Sequence, residues 1–363
     1  MGKYIRMIII ALLASAILFP QVTDAETSVS VSAEHAVLLD AKSGRVLYEK
    51  NAYESSLIAS TTKIMTAIIA IESGKLSEDV KVSERAIRTE GSSIYLTEGE
   101  KIPLIDLVYG LMLRSGNDSA VAIAEHVGGS VEGFTYMMNQ KARWLGMNDS
   151  HFENPHGLDG ESHYSSAYDL ALLMAYAMKN ETFREVTGSE MYKSDNRSYS
   201  WKNKNKLLTR LYDPTTGGKT GFTKKAGRTL VTSAEKDGMK LVAVTLNAPD
   251  DWQDHQRMYE FGFDHYETYQ LQEEGFATSN GERYYLPRDI FYPLTSEEQK
   301  QIDSVFYPAL STVDPHLAGV RHFQIADQLL IQTPVWNERP YDSFVGEWAA
   351  YLKRLTGVVP WST

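Results

Sequence analysis

A serine three residues ahead of a lysine can carry its own base. Ser60-Thr61-Thr62-Lys63 offers such a pair at the head of an apolar segment with helical spacing: Ile64, Met65, Ile68, Ile69 and Ile71. Residues three apart share one face of a helix. Near the helix N-terminus Ser60 would meet unsatisfied backbone N–H groups and the positive end of the dipole. A serine hydroxyl is a weak nucleophile until a base takes its proton. A lysine can be that base only if burial or another cation lowers its pKa. Alone, the S-x-x-K spacing equally describes a helix start with a solvated lysine. Two further groups add weight. Ser115-Gly116-Asn117 falls in a loop between two apolar helices, and Lys219-Thr220-Gly221 follows Thr216-Gly217-Gly218 and precedes a β-type hairpin.

The elements that must position these groups can be read from periodicity and punctuation. Ala36 to Asp40 and Arg45 to Glu49 flank Lys42-Ser43-Gly44 and read as a hairpin. Gly74 stops the helix that begins near Ser60. Pro103 opens a helix carrying Leu104, Leu107, Val108, Leu111 and Met112, and Asn117 to Val127 is an Ala-rich helix. Ser130 caps a helix that Gly146 ends, and Ser166 starts another. Arg228 to Glu235 and Met239 to Asn247 flank Asp237-Gly238, a hairpin signal. A last helix is expected from Asp254 to Tyr269. Strands at both ends with helices between them give an α+β architecture: an antiparallel sheet beside a helical block. Beyond Gln270 short β-like pieces alternate with turns, and residues 271–340 read as a small all-β domain after a first domain spanning 26–270.

The chain has 363 residues and a formal charge of −11, so a phosphate backbone is repelled and no nucleic-acid partner is expected. It contains no cysteine, which excludes disulfides, thiolate nucleophiles and Cys-based zinc sites. Lys3 and Arg6 precede the 13-residue apolar run Met7 to Phe19, and Thr23-Asp24-Ala25 places small residues at −3 and −1 of a cut after Ala25. Residues 1–25 thus read as a cleaved export signal, with an uncleaved anchor as the alternative. The tail 341–363 carries Phe344, Trp348, Tyr351, Leu352 and Leu355 on one helical face. Such a helix either lies in a membrane interface or docks on its own domain.

The three groups together, S-x-x-K, S-x-N and K-T-G in this order, match the signature set of class A β-lactamases and penicillin-binding proteins, with Gly116 where the set has Asp. Over residues 30 to 270 the sequence resembles the low-molecular-mass penicillin-binding proteins, serine D-alanyl-D-alanine carboxypeptidases of the S11 peptidase type. The resemblance rests on Ile58 to Lys63, Leu113 to Asp118, Gly217 to Gly221 and the run Phe152-Glu153-Asn154-Pro155-His156-Gly157-Leu158-Asp159. Thr89 to Leu96 and Trp201 to Leu208 are most similar to the spore-cortex type of Bacillus-like bacteria.

The resemblance implies a transpeptidase-like domain, no cofactor, and a defined set of roles. Ser60 would attack the D-Ala-D-Ala peptide bond and form an acyl-enzyme, with Lys63 as base. Ser115 and Asn117 would bridge Lys63 and the substrate. Lys219 would help hold Lys63 neutral and attract the terminal carboxylate, which Thr220 would bind. The backbone N–H groups of Ser60 and of Phe222, just after Gly221, would form the oxyanion hole. The implied substrates are peptidoglycan stem peptides, with β-lactams as covalent inhibitors, and the implied location is the outer face of the cytoplasmic or forespore membrane. Phe222 stands where several relatives carry His. The segment Asn247 to Trp252 lacks an Arg that some relatives use for the carboxylate, and Arg257 is a substitute to test. A β-lactamase would need a deacylating carboxylate; Glu153 is the one candidate, but Asn154-Pro155-His156-Gly157 does not resemble the β-lactamase loop. A non-catalytic penicillin sensor and a D,D-endopeptidase are the other readings. His151, His156 and His163 raise a zinc reading, but no H-E-x-x-H occurs and no metal is expected.

Overall fold

Both faces of the central sheet are covered, which is why its strands read as nearly continuous apolar runs. The computed structural model describes residues 29–279, 282–309 and 316–339. The expected export signal and the amphipathic tail lie outside them. The hairpin β1 (His35–Asp40) and β2 (Val46–Lys50) opens the fold. The chain returns after the helical block as β3 (Thr215–Thr223), β4 (Gly227–Lys236) and β5 (Met239–Leu246). The sheet order is β2-β1-β5-β4-β3, antiparallel throughout, so β3 forms an open edge. Every residue of β1 is buried. Val37, Leu39, Val242 and Val244 join the core of the helical block, while Leu38 and Leu241 close on Gly262 of the last helix.

The helical block contains α1 (Lys63–Glu72), α2 (Asn117–Gly128), α3 (Val131–Leu145), α4 (Ala167–Ala177) and α5 (Glu181–Gly188). Residues 63–71 of α1 are all buried, so this is the central helix and not a surface one. Ser130 and Ser166 cap α3 and α4 by accepting the N–H of Gly133 and Asp169, and Gly146 ends α3 in the left-handed conformation.

The last helix, α6, covers Asp251–His265 and not Asp254 to Tyr269. The helical pattern continues through Tyr266 to Tyr269, yet β6 (Glu267–Gln272) finds a strand partner in β9 (Ile290–Leu294), and pairing overrides local preference. Strand pairing therefore starts inside the segment assigned above to the first domain. A second five-stranded sheet holds β7 (Gly275–Ser279), β8 (Glu282–Leu286), β10 (Ile302–Pro308), β11 (Leu317–Ile325) and β12 (Gln328–Trp336), in the order β7-β8-β12-β11-β10. Arg45, just ahead of β2, ties the central sheet to the two-stranded β6–β9 pair. It pairs with Glu298, donates to the carbonyl of Pro293 and lies against the rings of Tyr266 and Tyr292.

Behind the sheet, His255 of α6 lies between the hydroxyls of Thr232 (2.7 Å) and Thr245 (3.1 Å). Burial lowers its pKa from 6.5 to about 3. Below pH 6.5 the unfolded chain takes up a proton that the folded chain refuses, so stability is lost as pH falls from 6.5 towards 3. From pH 7 to pH 5 this residue alone should cost about 2 kcal/mol. Thermal unfolding of the wild type and of His255→Gln at the two pH values checks this. An equal loss in both would refute it.

Candidate active site

Ser60 does not sit in an ordinary α-helical turn. Ala59–Thr62 forms a 3-10 turn that runs straight into α1. With three residues per turn, positions i and i+3 eclipse, and this sets Lys63 directly over Ser60. The turn is held in a strained entry: Ala59 has φ +46°. Two neighbours enforce it. The side chain of Thr229 on β4 donates to the carbonyl of Ile58 (3.0 Å), and Gly157 presses on the carbonyl of Ala59. A Cβ on Gly157 would stand 1.9 Å from that oxygen, and its φ of +87° also favours glycine.

The Lys63 amine is fully buried. Its Nζ lies 3.0 Å from Ser60 Oγ and donates to Asn117 Oδ1 at 2.7 Å and to the carbonyl of His156. A neutral amine has two N–H bonds, and both have acceptors here. The lone pair is left facing the serine hydroxyl, as general-base chemistry requires. Burial holds the Lys63 pKa well below 10.5. The charges of Lys219 and Lys204 lower it further, and Asp118 acts the other way.

Each acceptor is fixed in turn. Asn117 Nδ2 donates to the carbonyl of Glu90 (2.6 Å), which fixes the amide so that Oδ1 points at Lys63. Asp118, the next residue, accepts from Ser93 Oγ and from the backbone N–H of Ile94 and Leu96, clamping the loop that lines the cleft. The His156 carbonyl is presented by a turn in which Asn154 Oδ1 accepts the N–H groups of His156 and Gly157. Thr66 of α1 donates to the Pro155 carbonyl (2.6 Å). His163 Nδ1 accepts the N–H of Glu153 (3.1 Å), so its Nε2–H faces Thr62 Oγ1 at 2.8 Å. These histidines are structural: burial lowers the pKa of His156 to about 3 and of His163 to about 4. Ser115 is buried at φ +66°, a left-handed bend that ends the preceding turn Gly110–Arg114 and turns the chain into α2.

On β3, Lys219 is buried and donates to the carbonyl of Thr220 (2.7 Å), and burial, then Lys204, lowers its pKa to about 7. Gly221 lies against the nucleophile: a Cβ there would come within 2.9 Å of the Ser60 backbone nitrogen. The strand edge carrying Phe222 thus passes beside the Ser60 N–H. A cleft of about 510 Å³ runs from Ser92, Ser115 and Lys204 across Ser60 to Thr220, Phe222, Arg228 and Trp252. Phe222 is exposed at its rim.

One sequence expectation is corrected. Arg257 pairs with Asp254, a buried carboxylate that also accepts from Ser32 and Ala33, and it does not line the cleft. The arginine that does line it is Arg228, stacked on Trp252 and paired with Asp251. Glu153 is exposed and outside the cleft lining. Sequence reasoning assigned no role to Lys204, Asp118, Arg228 or the His156 carbonyl. The first three could have been suspected only as charges beside motif residues, and a backbone carbonyl leaves no trace in residue type.

Fold and site together define a serine acyl-transfer enzyme of the penicillin-binding type. The peptidase S11 family, D-alanyl-D-alanine carboxypeptidase, matches residues 21–250, and the chain belongs to it. It is 39% identical over 250 residues to D-alanyl-D-alanine carboxypeptidase DacF of Bacillus subtilis, an alignment covering 66% of this chain and 64% of that protein. It is 29% identical over 360 residues to D-alanyl-D-alanine carboxypeptidase DacA of Escherichia coli, covering 90% and 88%. Penicillin binding protein 5 of Haemophilus influenzae superposes with a TM-score of 0.75 at 25% identity, over 85% of this chain and 96% of that one.

Because the Lys219 charge lowers the Lys63 pKa, Lys219→Gln should raise it. Lys63 acts when deprotonated, so the acid limb of the rate of penicillin acylation should move to higher pH, with a lower rate throughout. Stopped-flow acylation across pH checks this. An unmoved limb would show that Lys219 does not tune the base.

Proposed function

We propose that this chain is a serine-type D-alanyl-D-alanine carboxypeptidase acting on peptidoglycan stem peptides. The observation that carries the reading is the buried Lys63 amine, whose Nζ lies 3.0 Å from Ser60 Oγ and has acceptors in Asn117 Oδ1 and the His156 carbonyl. Ser60 Oγ attacks the carbonyl carbon of the penultimate D-alanine while Lys63 takes the hydroxyl proton. The oxygen of the tetrahedral adduct is stabilised by the backbone N–H groups of Ser60 and Phe222; one such donor is worth about 3 kcal/mol. Lys63, by way of Ser115 and beside Asn117, returns the proton to the leaving amine. The C–N bond breaks, and terminal D-alanine departs. Water then attacks the Ser60 ester, releasing the shortened peptide. Lys219 and Thr220 receive the terminal carboxylate at the strand edge.

A β-lactam follows the same first step, but its leaving amine stays tethered in the opened ring. Asp251, the acidic residue lining the cleft, is paired with Arg228 and is not free to activate water as a β-lactamase would require. Stable acylation is therefore expected. Cross-linked peptides present the same bond, so endopeptidase action uses the same machinery. The basic start and apolar run of residues 1–25 support export to the wall space, and the apolar face of residues 341–363 supports attachment to the outer face of the cytoplasmic or forespore membrane.

Wild-type protein incubated with diacetyl-Lys-D-Ala-D-Ala should release one D-alanine, read by mass spectrometry, and should bind penicillin covalently. Ser60→Ala should lose both, and a surviving covalent adduct in that variant would place the nucleophile elsewhere. A chain truncated after Pro340 should leave the membrane fraction and keep its soluble activity; continued sedimentation with membranes would rule out the tail as anchor.

A further inference from the structure

A second cleft of about 250 Å³ opens beside the catalytic one, and the two share Ser92 and Lys204. Its walls are the loop Gly91 to Tyr95, Arg114 immediately before Ser115, and the segment bearing Tyr199 and Trp201. No residue lining it is acidic. Arg114 donates to the carbonyl of Lys202 (3.2 Å), and Lys204 reaches only the hydroxyl of Ser92 (3.4 Å). Among the described residues neither has a carboxylate in an ion pair. Burial and the nearby charge of Arg114 both lower the pKa of Lys204, so the two cations are left in tension that an anion would relieve. Tyr95 is 79% exposed and Tyr199 47% exposed, and they flank the mouth.

The asymmetry of the proposed substrate says which part of it this space serves. Beyond the bond that is cut only one residue remains, and Lys219 and Thr220 suffice for it. Ahead of that bond lies the rest of the stem, and the second cleft continues from the catalytic one at Ser92 and Lys204. We propose that the second cleft receives the stem ahead of the cut bond, and that Arg114 with Lys204 pairs with a side-chain carboxylate it carries. The inference rests on the carboxypeptidase reading and narrows its substrate class to acidic stems.

The test uses two N-acetyl-X-D-Ala-D-Ala peptides. In one, X is L-2-aminopimelate with a free side-chain carboxylate; in the other it is the side-chain carboxamide. D-alanine release by the full chain should favour the free acid by about tenfold in kcat/KM. The preference should shrink as salt rises from about 0.05 M to about 0.5 M. In Arg114→Gln, with folding checked by penicillin labelling, the ratio should fall towards one. A wild-type ratio near one would overturn the inference while leaving the carboxypeptidase reading intact. An equal loss on both peptides in Arg114→Gln would also overturn it, by assigning the cations to the terminal carboxylate. Release from neither peptide by the wild type would overturn the reading itself, and the inference with it.

Discussion

A lysine amine shut away from water is the constraint around which the rest of the molecule is arranged. A charged ammonium in that position would carry a desolvation penalty of several kcal/mol unless paired with an acid. The structure offers it amide and carbonyl oxygens instead, from Asn117 and His156, and places a second buried lysine, Lys219, close enough to oppose its charge. The one nearby carboxylate, Asp118, is occupied by the loop it clamps. The neutral amine is the form these surroundings favour, and it is the only form that can accept a proton. Base strength and burial are therefore one property here.

That property has to be assembled from far apart in the chain. Asn117 and His156 are 54 and 93 residues from Lys63, and β3 follows much later. The sheet closes the loop: β1, at the start, pairs with β5, and β3 reaches the Ser60 turn only because β4 lies between them. The strain at Ala59 and Ser115, both non-glycine residues at positive φ, falls on the two turns that aim a serine into the cleft. Strain of this size, on the order of 1–3 kcal/mol per residue, persists only where surrounding packing over-determines it. The contacts of Thr229 and Gly157 on the Ser60 turn provide that packing.

What the sequence made legible were features written in local chemistry. The Ser60, Ser115 and Lys219 groups sit together because short motifs survive as short stretches of backbone, and the caps at Ser130, Gly146 and Ser166 declare themselves by residue type. The antiparallel sheet with its helical block was legible from patterning at the two ends of the chain. What escaped was set by tertiary contact. The helical pattern runs on to Tyr269, but the strand Ile290–Leu294 takes the segment from Glu267 as its partner. The 3-10 entry to α1, which eclipses Ser60 and Lys63, leaves no mark in a periodicity that fits an α-helix equally well. Arg257 was placed near the carboxylate because it follows the Ala-Pro pair, yet the buried Asp254 holds it, and Arg228 reaches the cleft from the neighbouring strand.

The charge of the whole and the charge of the site point in opposite directions, and distance reconciles them. The chain carries −11, while Arg114, Lys204 and Arg228 line the two adjoining clefts. Exposed acids more than a Debye length away, about 8 Å at physiological salt, are largely screened, whereas buried or half-buried cations keep their field. An anionic peptide end therefore meets a locally positive cleft. The open edge of β3 adds a directional element, because an edge strand presents unpaired N–H and C=O groups to an extended chain. Such an edge is usually a hazard. Here Thr220, Gly221 and Phe222 line the catalytic cleft, and the nucleophile stands beside them. Geometry thus converts a potential aggregation surface into a means of aligning one peptide bond with one hydroxyl.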